Sequence, residues 1–201
     1  MEVNLFQQFL GIALSVFFSI LVLSVIPAIV LSCFRVSQPN STIGHWHKGL
    51  DGVSYSTVKF YARLRELLES KSLPGVLPMH SVLHREGGLI SPRRRYFRVK
   101  RKSILIDVCA APFGKDYFVS WWMVERVSAL RYVLSRMPGL GEYFDRTFWP
   151  LTYYRRDTMI AFQDAVHNTI LEAVDELLVE LKLPRLEQQE RRPVMKDLFA
   201  R

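Results

Sequence analysis

Cysteine is scarce: only Cys33 and Cys109 occur among the 201 residues. One ends an apolar run and the other stands inside a strand-like run, so no mutual bridge is expected. That usage suits a reducing compartment and excludes a small disulfide-stapled secreted module. Charge is absent from Val3 to Phe34, and no Lys or Arg precedes that window. The chain also lacks a glycine-rich phosphate loop, a G-x-S-x-G elbow and an H-E-x-x-H zinc pair. No motif-borne enzymatic chemistry of those kinds is therefore expected, and neither is a cofactor.

What is present begins with an apolar run from Phe9 to Phe34. A helix needs roughly 20 such residues to cross the hydrocarbon core, so this run spans with length to spare. Pro27 near its end would kink the helix without preventing a crossing. A cleaved signal peptide fits less well, because Glu2 is the only early charge, the apolar core is too long and no A-x-A pattern follows. Arg35, Lys48, Lys59, Arg63 and Arg65 all follow the span, which places the N-terminus outside and the C-terminal domain in the cytoplasm. On that sidedness the sequon at Asn40 carries no weight. The expected organisation is a short extracytoplasmic N-terminus (1–8), a transmembrane helix (9–34), a juxtamembrane linker (35–54), an α+β cytoplasmic domain (55–183) and a polar tail (184–201).

Within the domain, Val58, Tyr61, Leu64 and Leu68 recur at helical spacing behind Ser56 or Thr57 as cap. The other side of that helix carries Lys59, Arg63 and Glu66. Strands are expected over Val76–Leu83, Arg95–Lys100, Ile104–Ala110 and Tyr117–Val124. Turns lie at Gly87-Gly88, Arg101–Ser103 and Pro112–Asp116. The last two strands are apolar on both faces and need cover on both. A short helix follows over Val127–Met137. A long one, capped by Asp157 or Thr158, runs to about Leu183 with Met159, Phe162, Val166, Ile170, Val174, Leu177 and Leu181 as its stripe. The expected fold is thus α+β: one transmembrane helix, then a small domain with an antiparallel sheet of three to four strands packed with about three helices.

The densest charge feature is Arg93, Arg94, Arg95, Arg98, Lys100, Arg101 and Lys102, seven cations within ten residues. A solvated hairpin whose cations protect a sheet edge accounts for it most simply. Anionic headgroups or an acidic partner come second. Nucleic acid, with Tyr96 and Phe97 stacking, comes third. The formal charge of +8 favours anionic partners in general. Trp121, Trp122, Trp149, Tyr153 and Tyr154 are interface candidates.

His45, His47, His80 and His84 do not make a metal site, since His80 and His84 on a strand stand about 13 Å apart. Asp107, in an apolar strand, asks for a partner, and an arginine of the preceding strand fits. The reading that follows is a membrane-anchored accessory or assembly protein whose basic domain binds a membrane-associated partner, another copy of itself or anionic headgroups. The alternative is a membrane-tethered enzyme acting on lipid or nucleotide through Asp107, Cys109 and a histidine such as His167.

Overall fold

In the computed structural model the described residues are 7, 10–20, 23, 42–86, 91–128, 131, 134, 135, 137 and 139–195. They fall into two compact units, residues 38–126 with 151–201 and residues 1–37 with 127–150.

The larger unit is α+β. Its sheet is antiparallel and six-stranded, in the order β2-β3-β4-β5-β1-β6. The strands are β1 (Thr42–Leu50), β2 (His80–Arg85), β3 (Arg93–Arg101), β4 (Ile104–Phe113), β5 (Asp116–Glu125) and β6 (Val194–Met195). Helix α1 (Thr57–Ser70) precedes β2, and the long helix α3 (Tyr153–Glu180) follows the strands.

The expectation of three to four strands was too small because two strands lie where the composition reads as loop and tail. Residues 42–50, assigned to a linker, form β1, which pairs with β5 from Thr42/Val124 to Leu50/Tyr117. Trp46 and Leu50 share its inward phase with Gly44 and Lys48, and Ile43 is buried at the register shift between Thr42 and Gly44, so no simple apolar alternation shows in the sequence. The tail does not stay free either. Leu186 is buried, and β6 pairs with β1 at Gly44/Met195 and His45/Val194. The strand expected over Val76–Leu83 begins later, at His80. Val76 contributes only an isolated bridge to Arg101. The turn expected at Gly87-Gly88 lies outside the described residues.

Strand alternation divides the sheet into two faces. Phe97, Val99, Ile106, Val108, Val119, Trp121 and Met123 form one core with residues of α1 and α3. α1 enters with Phe60, Tyr61, Leu64, Leu67 and Leu68. Val58, expected in the stripe, is exposed. Ser56 caps α1 through a hydrogen bond from Lys59 N. The hydroxyl of Tyr61 reaches the sheet just beyond the β3–β4 register, where it bonds Arg95 O, Val108 O and Ala110 N at 3.0–3.2 Å. Arg95 and Ala110 lie two residues past the last β3–β4 pair, so the hydroxyl bridges them where the strands separate.

α3 starts at Tyr153 under a Thr152 cap, earlier than Asp157 or Thr158. It ends where Lys182 takes a positive φ of 56° and Leu183 N bonds Leu178 O, the six-to-one closure of a Schellman turn. Its acidic side is answered by the basic side of α1, through Lys59–Glu180, Arg63–Glu176 and Lys71–Glu172. The cations of α1 are therefore engaged within the domain.

In the smaller unit, residues 10–20 are helical and all exposed. The expected span 9–34 otherwise lies largely outside the described residues. No helix among the described residues is long and apolar enough to cross a membrane. Helix α2 (Gly141–Phe148) stacks Phe144 on Phe148, and Arg131 pairs with Asp145. The helix expected over Val127–Met137 is described only in part, with residues 131 and 134 helical.

Candidate functional site

The second face of the sheet carries polar and aromatic groups where the first carries core. Asp107 on β4 stands opposite Arg98 on β3 and Trp122 on β5. Arg98 Nε and Nη2 donate to Asp107 Oδ1 and Oδ2, both at 2.6 Å. His84 Nε2–H donates to Oδ2 at 2.9 Å. Its ring meets Tyr96 edge-on with centroids 4.9 Å apart. Asp107 is 5% exposed, and that burial alone would push its pKa up. Arg98 first and His84 second outweigh the burial and hold it below the usual carboxylate value. The expected arginine partner of Asp107 is thus Arg98. His84 is a partner that its sequence spacing did not reveal, because the pairing depends on how β2 registers with β3.

Beside this group, Cys109 is buried and unbridged. Burial pushes its thiol up, with Arg94 and Tyr96 acting in the opposite direction. The group is a protonated thiol at neutral pH and a poor nucleophile. His167 cannot activate it. Its ring lies in the core on the other face, accepting from Trp121 Nε1 at 3.0 Å through Nδ1 and donating from Nε2 to Arg191 O at 2.7 Å. Burial lowers the His167 pKa. Among the described residues, no three His, Cys, Asp or Glu side chains converge as metal ligands.

The seven cations separate by position. Arg98 is committed to Asp107, and Arg101 Nε bonds Pro74 O at 2.9 Å. Lys100 is half-buried. Arg93, Arg94, Arg95 and the turn residue Lys102 are exposed. Phe97 is in the core and 1% exposed, so of the two interleaved aromatics only the half-buried Tyr96 reaches the surface. At the start of β3 a cleft of about 300 Å³ is lined by His84, Arg85, Glu86, Pro92, Arg93, Arg94 and Tyr96.

The interface candidates separate too. Trp121 is fully buried and belongs to the core, a correction to its reading as an interface candidate. It sits on the inward phase of β5, whereas Trp122, one residue on, faces outward at 42% exposure and stacks on His45 at 4.9 Å. Tyr153 and Tyr154 stand at 82% and 79% exposure at the start of α3. Trp149 is half-buried against Phe148.

No protein-family model matches the chain, and no curated protein matches it either.

Proposed function

We propose that this is a single-pass membrane protein of accessory or assembly type, with its N-terminus outside and its basic α+β domain in the cytoplasm. The observation that carries this reading is the helical stretch 10–20, which is uncharged and apolar over most of its circumference, with Gly11, Ser15 and Ser19 forming one narrower small-residue stripe. Leu10, Ile12, Leu14, Val16, Phe17, Phe18 and Ile20 are each more than half exposed. Leaving them in water forgoes on the order of 10 kcal/mol of transfer free energy. A helix with so broad an apolar surface is covered by protein or by lipid, and the uncharged window from Val3 to Phe34 favours lipid. The cations that follow it set the sidedness.

The basic hairpin of the tethered domain then meets anionic headgroups or an acidic surface of a membrane-associated partner. Arg93, Arg94 and Arg95 are the exposed group that serves this role, each worth about 1 kcal/mol near an anionic surface. The burial of Phe97 argues against single-stranded nucleic acid, which needs presented aromatic faces.

The test is a pair of measurements on the full chain. A reporter active only in the cytoplasm, fused after Arg201, is expected to be active. The protein is expected to resist extraction by high salt or alkali and to yield to detergent. Release by salt or alkali would remove the membrane reading, and an inactive cytoplasmic reporter with an active external one would reverse the topology.

A further inference from the structure

We infer that the cleft at the β2–β3 end of the sheet is a binding site for a phosphate monoester, with Arg93 and Arg94 as its forks and His84 and Tyr96 as part of its wall. The inference rests on the anionic-headgroup reading above and narrows it to one pocket and one chemistry.

The observations are geometric. A concave space of about 300 Å³ lies where β3 leaves its pairing with β4, and three guanidinium groups line it against one carboxylate, Glu86. Its formal charge is therefore positive without any contribution from the imidazole. Arg93 and Arg94 are both exposed, so neither guanidinium is committed to a buried carboxylate. Arg98, by contrast, is spent on Asp107. His84 is held in place by that same carboxylate at 2.9 Å and by the edge contact with Tyr96, which leaves its ring oriented at the cleft wall.

The ligand class follows from counting donors. A phosphate monoester is a dianion at neutral pH with three terminal oxygens, whereas a diester is a monoanion with two. Two guanidinium forks match the first and over-supply the second. The volume is at the lower end for small-ligand sites, room for a phosphate and the first atoms of what carries it. A lipid headgroup or a soluble phosphate would supply the same chemistry.

The experiment uses the full chain in neutral detergent micelles, titrated calorimetrically with inorganic phosphate, glycerol phosphate and the diester glycerophosphoglycerol. The same chain in phosphatidylcholine nanodiscs doped equally with phosphatidic acid and phosphatidylglycerol gives the lipid arm, read as the headgroups retained on the protein. Saturable binding of glycerol phosphate is expected, roughly tenfold tighter than the diester, with about a tenfold loss in Arg93→Gln or Arg94→Gln. Lys102→Gln, outside the cleft, should leave it unchanged, and an unchanged thermal midpoint would show that the variants are folded. Enrichment of phosphatidic acid would identify lipid as the source, and binding of the soluble esters without enrichment would identify a free phosphate. Absence of saturable monoester binding, or equal binding of monoester and diester, overturns the pocket. If anionic lipid is still retained, the headgroup reading survives; if none is retained, that reading fails as well.

Discussion

Arg98 and Asp107 oppose each other across the β3–β4 ladder and close a two-pronged ion pair with both oxygens at 2.6 Å. Their side chains are 11% and 8% exposed, so each charge depends on the other for what water no longer provides. Desolvating such a pair costs about what its attraction returns, whereas removing one partner strands a charge. Arg98→Met is therefore expected to destabilise the domain by about 3 kcal/mol. The double change Arg98→Met with Asp107→Leu should recover most of that loss. Denaturant midpoints of the full chain in detergent check it, and a double variant as unstable as the single one would show that the pair contributes more than charge balance.

His167 sets an acid limit on stability. Its Nδ1 must stay unprotonated to accept from Trp121, while Nε2–H donates to Arg191 O. Protonation would point an N–H at an N–H. Burial holds the folded pKa below its ordinary value, so the unfolded chain binds more protons once pH drops under about 6.5. The stabilisation is fully present above that pH and is lost as pH falls through the folded value. Thermal midpoints from pH 7.5 to 5 should decline, and His167→Gln, which keeps one acceptor and one donor without titrating, should decline less. Equal slopes for the two proteins would assign the acid sensitivity elsewhere.

Much of this architecture is legible in the sequence, and the exceptions have physical causes. β3, β4 and β5 announce themselves through alternation and β-branched runs, and α3 through its stripe. β1 does not, because Gly44 and Lys48 interrupt its inward phase, Ile43 lies at a register shift and its stability comes from pairing with β5. β6 is too short to carry a period at all. At the site, Asp107 in an apolar strand signals a buried partner, and the preceding strand contains it. That His84 also reaches it depends on strand register. Trp121 and Trp122 look alike in sequence, and only the phase of β5 sends one inward and the other outward.

Gly44 tests whether the C-terminal segment is held by the sheet. A Cβ there would stand 2.6 Å from Met195 Sδ and 3.3 Å from Val194 O. The thioether can swing aside, so Gly44→Ala should cost under about 1 kcal/mol. Gly44→Val adds branches that press on the backbone of β6 as well. It should loosen residues 191–195 without unfolding the core, read as faster limited proteolysis at Arg191 or Arg192 with an intact remainder. Cleavage at the wild-type rate would show that the ties of Glu190 to Trp46 and Lys48, rather than β6 pairing, hold the segment.

Ile170 decides what covers the long helix. The stripe of α3 is closed by the domain itself: Ile170, Val166 and Val174 are fully buried in the core shared with α1 and the sheet. No second copy is needed to explain its burial, so a seam between copies is not where these residues act. Ile170→Ala should cost about 2–5 kcal/mol, the transfer term plus the cavity that a close-packed neighbourhood cannot fill. Ile170→Asp goes further, because it places a carboxylate inside the buried hydrophobic core, and the group must either take up a proton or force water in. Loss of the cooperative unfolding transition is expected for that variant, read by near-ultraviolet circular dichroism of the buried Trp121. A well-folded Ile170→Asp protein with lowered oligomeric mass would place the helix at an interface between copies and would mean that the core beneath it is not the one described.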